Sequence, residues 1–437
     1  MKQAHCKALF ITAPASGQGK TTITAALARL FHRQGKTVRV FKTGPDYLDP
    51  QILKQASGHP VQQLDLWMAG TDYCQHQLYK GAREADLILV EGVMGMFDGT
   101  PSSADLAAQF GIPMALVMDV SGMAQTAGAV AVGLANFRND IVVAGLLANN
   151  CSTERHRQLI EEALPESLPL LANLKNAPEV ALPERHLGLV QAEEVADELE
   201  QHLNAGADWL EEAGIARHFE NLPDVTFTDA VQSTIAPRLQ GVRIAIARDR
   251  AFSFIYDANL ELLQDMGAEL RFFSPLNDQQ LPEADALWLP GGYPELNAAQ
   301  LADNHSINNQ IREFFLADKP ILAECGGFLY TLQSLTDLDE QEHTMLGLLQ
   351  GHGAMRGTRG CQGMQTAMLP EGDVRAHAHH RSLSHATPPA ISHGKRQRHP
   401  APGEAIYRER RLTASYLHLF FPSNPDAIAD LFTPSQN

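Results

Sequence analysis

The chain predicts an α/β protein of two units: an N-terminal phosphate-loop domain on a doubly wound parallel sheet, then a second α/β domain. Two observations carry this. Short apolar runs rich in Val, Ile and Leu alternate with helical stretches, the pattern of a parallel sheet covered on both faces. The alternation runs twice, from "KALFIT" to "DIVVAGLLANN" and from "GVRIAIARD" to "TASYLHLFF", and it loosens between about Leu164 and Gly241. A length of 437 residues fits two or three domains.

In the first series "KALFIT", "TVRVFKTG", "ADLILVEG", "PMALVMDV" and "DIVVAGLLANN" read as buried strands. "TTITAALARLFHRQGK" reads as a helix that Gly35 stops. In the second series "GVRIAIARD", "AELRFFSP", "ADALWLPGG", "KPILAECGG" and "TASYLHLFF" read as strands. "ENLPDVTFTDAVQSTIAPRLQG" carries Pro, Asp and Thr without a sustained period and reads as a linker. The expected division is therefore domains over 1–215 and 241–437 with a linker over 216–240. "HATPPAISHGKRQRHPAPGE" is Pro- and His-rich and reads as an exposed loop.

Hydrophobic residues make up 44% and charged residues 19% of the chain, enough for real cores. The net charge of −17 argues against nucleic acid and anionic membrane as general partners, while a local basic pocket can still hold an anion. Cys6, Cys74, Cys151, Cys325 and Cys361 lie far apart, form no C-x-x-C pair and suggest no disulfide framework. The first residues do not read as a signal peptide, and no apolar run nears the roughly 18 residues of a membrane helix. The expectation is a cytoplasmic protein. A homodimer is the expected assembly, with no motif that specifies it.

"ALFITAPASGQGKTTITAALARL" is the most specific signal of the first half. A strand leads into a loop with Gly17 and Gly19, and Lys20, Thr21 and Thr22 open a helix. Backbone N–H groups at a helix N-terminus cradle phosphate, and glycines let the chain come close. Lys20 would reach the terminal phosphates and the Thr21 hydroxyl would bind Mg²⁺. Pro14 stands where the first glycine of G-x-x-x-x-G-K-[ST] is usual, which points to a variant of the loop.

Acidic groups gather at the same end of the predicted sheet. "FKTGPDYLDP" holds Lys42, Asp46 and Asp49 past the second strand. "DLILVEGVMGMFDG" ends its strand at Glu91 and carries Asp98 in a Gly-rich loop. Ligands of doubly wound sheets bind where the carboxyl ends of the strands meet. Glu91 suits a metal ligand, since Mg²⁺ takes carboxylate and phosphate oxygens. Asp46, Asp49 and Asp98 each also fit simple turn formation beside Pro or Gly. Such a site could let a carboxylate attack the γ-phosphoryl group of the nucleotide, with Lys20, Lys42 and Mg²⁺ balancing the charge.

In the second half "KPILAECGGFLYTL" places Cys325 between a strand and the small residues that open a helix. A nucleophile on such a turn is presented, and a helix N-terminus favours the thiolate. Ala323 and Gly327 occupy the small-residue positions of the elbow. Gly291 and Gly292 in "LWLPGGYPE" could supply oxyanion N–H groups, and His418 in "LTASYLHLFF" could act as base. The alternatives are a buried packing cysteine and a satisfied core histidine. No acid follows His418 to orient it.

Together "APASGQGKTT", "KTGPDYLDP", "VEGVMGMFDG", "AFSFIYDANLELL", "LPGGYPE", "AECGGFLY" and "YLHLFFPSNP" resemble the cobyrinic acid a,c-diamide synthases of cobalamin biosynthesis. The resemblance implies a dethiobiotin-synthetase-like ATP-binding amidoligase domain and a class I-like glutamine amidotransferase domain. It implies ATP- and glutamine-dependent amidation of the a and c carboxylates of a cobalt corrinoid. In that reaction Cys325 attacks glutamine, His418 is its base, and Gly291 and Gly292 form the oxyanion hole. Gly17, Gly19, Lys20, Thr21, Thr22 and Asn149 hold ATP, and Thr21, Asp46 and Glu91 hold Mg²⁺. Lys42, Asp46, Asp49 and Asp98 activate the substrate. Hydrogenobyrinic acid and nickel sirohydrochlorin are alternative substrates, and a phosphate-loop switch ATPase is the non-ligase alternative. One segment departs from the pattern: where the family carries R-G-H-E-F-H-x-S, this chain reads "RAHAHHRS" over 375–382. Metal binding by His377, His379, His380 and His385 is weighed against solvated histidines, which are commoner in a polar segment.

Overall fold

The computed structural model describes residues 2–182, 184–185, 188–189, 196–230, 234–356 and 360–434. It divides into two compact units, Met1–Gln232 and Ser233–Asn437.

The first unit alternates strand and helix: β1 Gln3–Thr12, α1 Lys20–Arg33, β2 Val38–Thr43, α2 Asp49–Ser57, β3 Gln62–Leu64, α3 Thr71–Ala82, β4 Leu87–Glu91, α4 Ser103–Phe110, β5 Met114–Asp119, α5 Gln125–Asn136, β6 Val143–Asn149, α6 Glu154–Glu161 and β7 Leu170–Asn173. These strands pair in parallel in the order β3-β2-β4-β1-β5-β6-β7. Both faces are covered. Phe10, Ile88, Val90 and Leu116 bury on one side, and Leu9, Ile11, Leu89 and Val117 bury against Ile23, Leu27 and Leu30 of α1 on the other. That two-sided burial is why the strands read as unbroken apolar runs. Gly35, at φ +76°, follows the end of α1 as expected.

After a short hairpin of β8 Glu184–Arg185 and β9 Gly188–Leu189 comes α7 Ala196–Glu212, whose Leu199, Leu203, Ala207 and Leu210 join the α1 side of the core. The segment expected to link the domains is structured over much of its length. It holds α8 Ala216–Glu220 and β10 Asp224–Thr228, and β10 pairs antiparallel with the first half of β1. Val225 and Phe227 bury while Asp224 and Thr226 face out, so the strand shows only two apolar residues in its pattern. The boundary between units accordingly falls after Gln232.

The second unit begins β11 Arg243–Ala247, α9 Asp257–Asp265, β12 Glu269–Phe273, β13 Ala286–Leu289, α10 Ala298–Asp303, α11 His305–Leu316, β14 Ile321–Glu324 and α12 Gly326–Thr331. It continues β15 Ser334–Thr336, β16 Glu342–Thr344, β17 His352–Met355, β18 Cys361–Leu369, β19 Gly372–His380, β20 Ser382–His385, β21 Ser392–Arg396, β22 Pro402–Glu409, β23 Leu412–Ser415, β24 Leu417–Leu419 and α13 Pro425–Phe432. The main sheet runs β12-β11-β13-β14-β23-β22-β21-β18-β19-β24, parallel through β23 and antiparallel beyond it. It curls until β24 returns to the end of β14, where Leu419 N–H donates to Glu324 Oε1 at 2.7 Å. A second sheet runs β16-β15-β17-β20.

Two expectations change here. "TASYLHLFF" is not one strand: it breaks at Tyr416, where Ser415 Oγ accepts the Leu417 N–H, and His418 passes to a different neighbour from Thr413. The Pro- and His-rich segment expected as a loop contains β21 and the start of β22. Buried Gln365 joins these strands to β18, its Oε1 accepting Glu404 N–H at 2.8 Å. Gly394 and Gly403 leave room for it, since a Cβ on either would stand 2.4 or 1.9 Å from that oxygen.

Candidate functional site

In the first unit the loop after β1 carries Gly17 and Gly19 in left-handed conformations, at φ +75° and +93°, which favour glycine. A Cβ on Gly19 would also lie 2.5 Å from Asn149 Nδ2. Asn149, at the end of β6, donates to Gln18 O at 3.1 Å, and Gln18 Oε1 accepts Asp119 N–H at 2.9 Å. Gln18, unremarked in the sequence, thus ties the loop to two strand ends. Lys20 and Thr21 open α1 with Thr22 beside them, and Lys20 Nζ donates to Ala15 O at 3.2 Å and Met94 O at 2.8 Å. Burial and then the Lys42 charge lower the Lys20 pKa, which suits a cation awaiting an anion.

Past β2 and β4 the acidic groups converge. Thr21 Oγ1 donates to Glu91 Oε1 at 2.7 Å and lies 3.2 Å from Asp49 Oδ2. Lys42 Nζ bridges the same pair, at 2.6 Å from Asp49 and 2.8 Å from Glu91, with Asp46 Oδ2 farther off at 3.7 Å. Burial opposes the Lys42 charge, yet Asp49, Glu91 and Asp46 together hold its pKa well above the usual. Burial pushes Glu91 up; for Asp49 it is outweighed by Lys42 and hydrogen bonds, which hold that carboxyl low. Asp46 is pushed up to about 7 by burial and by Asp49.

The carboxylates against Thr21 are thus Asp49 and Glu91, whereas Asp46 was the expected companion of Glu91. Asp46 Oδ1 caps the turn into α2 by accepting the Leu48 and Asp49 N–H groups. Asp98 is exposed, and its Oδ2 accepts Gly95 N–H at 3.0 Å, closing its own turn. Glu91 is wholly buried and its Oε2 has no hydrogen-bond partner among the described residues. An orphaned carboxylate oxygen beside a hydroxyl and a second carboxylate is a donor set that suits a hard divalent cation.

In the second unit Cys325 stands between β14 and α12 at φ 48°, ψ −102°, a strained elbow. Its N–H donates to Ser415 O at 2.8 Å, and its Sγ lies 3.8 Å from His379 O. The small residues around it are required by close approach: a Cβ on Gly327 would lie 2.0 Å from Leu289 O, and one on Gly326 2.9 Å from Gly292 N. Gly292 itself lies against Ala251 O, and Gly291 against His418, whose Cε1 would be 2.2 Å from an added Cβ. Gly326, the residue after Cys325, and His418 therefore both border the Gly291–Gly292 pair. Buried His418 pairs across strands with His377, and burial followed by the neighbouring histidines keeps its imidazole neutral. Burial and then Glu295 push the Cys325 thiol up, so it rests protonated.

Three carboxylates here had no role in the sequence reading. Glu324 accepts from Leu419 N and, at 2.9 Å, from Trp288 Nε1, and burial pushes it up to about 8. Glu295, pushed up to about 7 by burial, follows the glycine pair in the 3-10 turn Pro294–Leu296. Glu404 lies beside His380. The hint for Glu324 was a charge at the end of an apolar strand next to Cys325. Of the four histidines weighed together only His380 belongs to a cluster of three or more ligand-type side chains among the described residues, so the four do not share one site.

Residues 9–190 match the model of the CobQ/CobB/MinD/ParA nucleotide binding domain, and 243–426 that of the CobB/CobQ-like glutamine amidotransferase domain. A hydrogenobyrinate a,c-diamide synthase of Stutzerimonas stutzeri is 51% identical over 99% of this chain and 100% of its own. One of Pseudomonas aeruginosa is 50% identical over 100% of both chains. A cobyrinate a,c-diamide synthase of Herminiimonas arsenicoxydans is 46% identical over 98% of this chain and 96% of its own. The chain belongs to the family of hydrogenobyrinate and cobyrinate a,c-diamide synthases, glutamine-dependent amidotransferase ligases.

Proposed function

We propose that this protein uses ATP and glutamine to amidate the a and c carboxylates of a corrinoid, hydrogenobyrinate in preference to cobyrinate. The observation that carries the reading is the pairing, in one chain, of two sites. One is a phosphate loop faced by Glu91 and Asp49; the other is a strained Cys325 whose neighbour Gly326 packs on Gly292, with His418 against Gly291. The metal-free ring is put ahead of the cobalt corrinoid expected from the motifs because the relatives at 51% and 50% identity are named for hydrogenobyrinate, and the one at 46% for cobyrinate.

At the glutaminase site His418 takes the thiol proton as Cys325 Sγ bonds to the glutamine amide carbon. Gly291 and Gly292 offer N–H groups to the oxyanion. His418 returns the proton to the leaving nitrogen, the C–N bond breaks, and water hydrolyses the thioester. At the nucleotide site a substrate carboxylate oxygen attacks the γ-phosphorus of ATP, and ADP leaves. Ammonia then attacks the acyl carbon, loses a proton, and phosphate leaves. Lys20 and Lys42 neutralise charge on the transferred group. Thr21, Glu91 and Asp49 would hold Mg²⁺, which supplies Lewis-acid stabilisation of the phosphates. The site is expected to work in the cytoplasm, in a homodimer.

Hydrogenobyrinate and cobyrinate in equal amounts with enzyme, ATP, Mg²⁺ and glutamine test the substrate. Faster loss of hydrogenobyrinate, followed by mass spectrometry, supports the reading; faster loss of cobyrinate overturns the preference.

A further inference from the structure

Three ligand-type side chains that the glutamine chemistry does not use meet on the curled sheet, beside the Cys325 site. Cys361 opens β18 and stands directly across from His380, the last residue of β19. Glu404 on β22 reaches both: Cys361 Sγ lies 2.8 Å from its Oε1 and His380 Nε2 3.4 Å from its Oε2. The three ligand atoms all lie within 4.8 Å of one another. The backbone behind them is fixed, because Gln365 holds Glu404 N–H from β18.

His380 makes this more than a cluster. Its Nδ1 lies 3.1 Å from Ser382 O, which can only accept, so Nδ1 donates there and Nε2 is the ring atom turned towards Glu404. That Nε2 is buried, makes no hydrogen bond among the described residues and faces the Glu404 carboxylate. The side chain is 7% exposed, and its ring stacks on Tyr416 at 3.8 Å and 7°, which sets its direction. A buried imidazole nitrogen and a carboxylate turned towards each other call for a positive charge between them, and a proton or a metal ion can supply it.

We propose that Cys361, His380 and Glu404 form a binding site for a borderline-soft divalent cation, with Zn²⁺ the fitting ion. Thiolate, imidazole and carboxylate are the zinc ligand types, and bonds of roughly 2.0–2.3 Å put ligand atoms about 3.5 Å apart. The thiolate and carboxylate cancel the charge of the ion, so a partly buried site carries no net charge. The fourth position is left to water. His379, whose carbonyl lies 3.8 Å from Cys325 Sγ, immediately precedes His380. The cation would therefore anchor the strand end beside the nucleophile without entering the glutamine chemistry. The proposal stands apart from the choice of corrinoid.

The test is metal titration of the full chain after chelator treatment, with Zn²⁺ read by elemental analysis and Co²⁺ by its near-ultraviolet thiolate charge-transfer band. One equivalent per chain and a band are expected. Cys361→Ser should abolish the band and weaken binding by more than the roughly 10-fold that losing an outer partner costs. Glu404→Gln, which keeps the shape, should weaken binding while circular dichroism stays unchanged. Cys325→Ser should leave both signals in place. No binding at micromolar metal, or loss of the band in Cys325→Ser but not in Cys361→Ser, would overturn the proposal.

Discussion

Cys325 sits at a backbone conformation that costs on the order of 1–3 kcal/mol, and it persists because Ser415 and the glycines around it hold the turn. Its thiol, pushed up by burial and Glu295, should react slowly with iodoacetamide at neutral pH and faster as pH rises. Fast alkylation at neutral pH would show a resting thiolate. Cys325→Ser is expected to abolish glutamine-dependent turnover and to retain turnover with ammonium salts, since only ammonia release uses the thiol. Full glutamine-dependent activity in that variant would remove Cys325 from the chemistry. Gly19→Ala combines a left-handed φ of +93° with a Cβ 2.5 Å from Asn149, so nucleotide affinity measured by calorimetry should fall about 10-fold or more. The nucleophile was readable from the sequence because strand, thiol and small residues adjoin. The place of Asp49 was not, because two aspartates three residues apart in one turn differ only in where the chain points them.

Among the elements, the parallel strands were readable because burial on both faces leaves them apolar throughout. Strand β10, with two inward residues, and β21 and β22, rich in Gly, His and Pro, carry too little apolar pattern to show. The break at Tyr416 was hidden because Leu412 to Phe421 is one nearly unbroken buried run. Glu324 joins two of these elements, holding β24 through Leu419 and β13 through Trp288. Glu324→Gln replaces one acceptor with a donor facing an N–H. The expected loss is about 1–3 kcal/mol, seen as a lower urea midpoint with a change in tryptophan fluorescence. An unchanged midpoint would show that the bonds do not hold the sheet closed.

For the whole molecule, two α/β units were evident from two alternating series, while their boundary was not. The linker-like composition of 216–230 contains a helix and an edge strand that belong to the first unit. The two activities should separate by mutation. Glu91→Gln or Asp49→Asn removes a carboxylate from the Thr21–Lys42 cluster, and ligation should fall at least about 100-fold while glutamine hydrolysis continues. Equal loss of both would point to coupling or misfolding.

One chain moves glutamine nitrogen onto two corrinoid carboxylates at the expense of ATP. Mass spectrometry of hydrogenobyrinate incubated with enzyme, ATP, Mg²⁺ and amide-labelled glutamine tests it most directly. Two labelled nitrogens per product molecule are expected, both absent when ATP is withheld. Unmodified hydrogenobyrinate and cobyrinate in the presence of every substrate would contradict it.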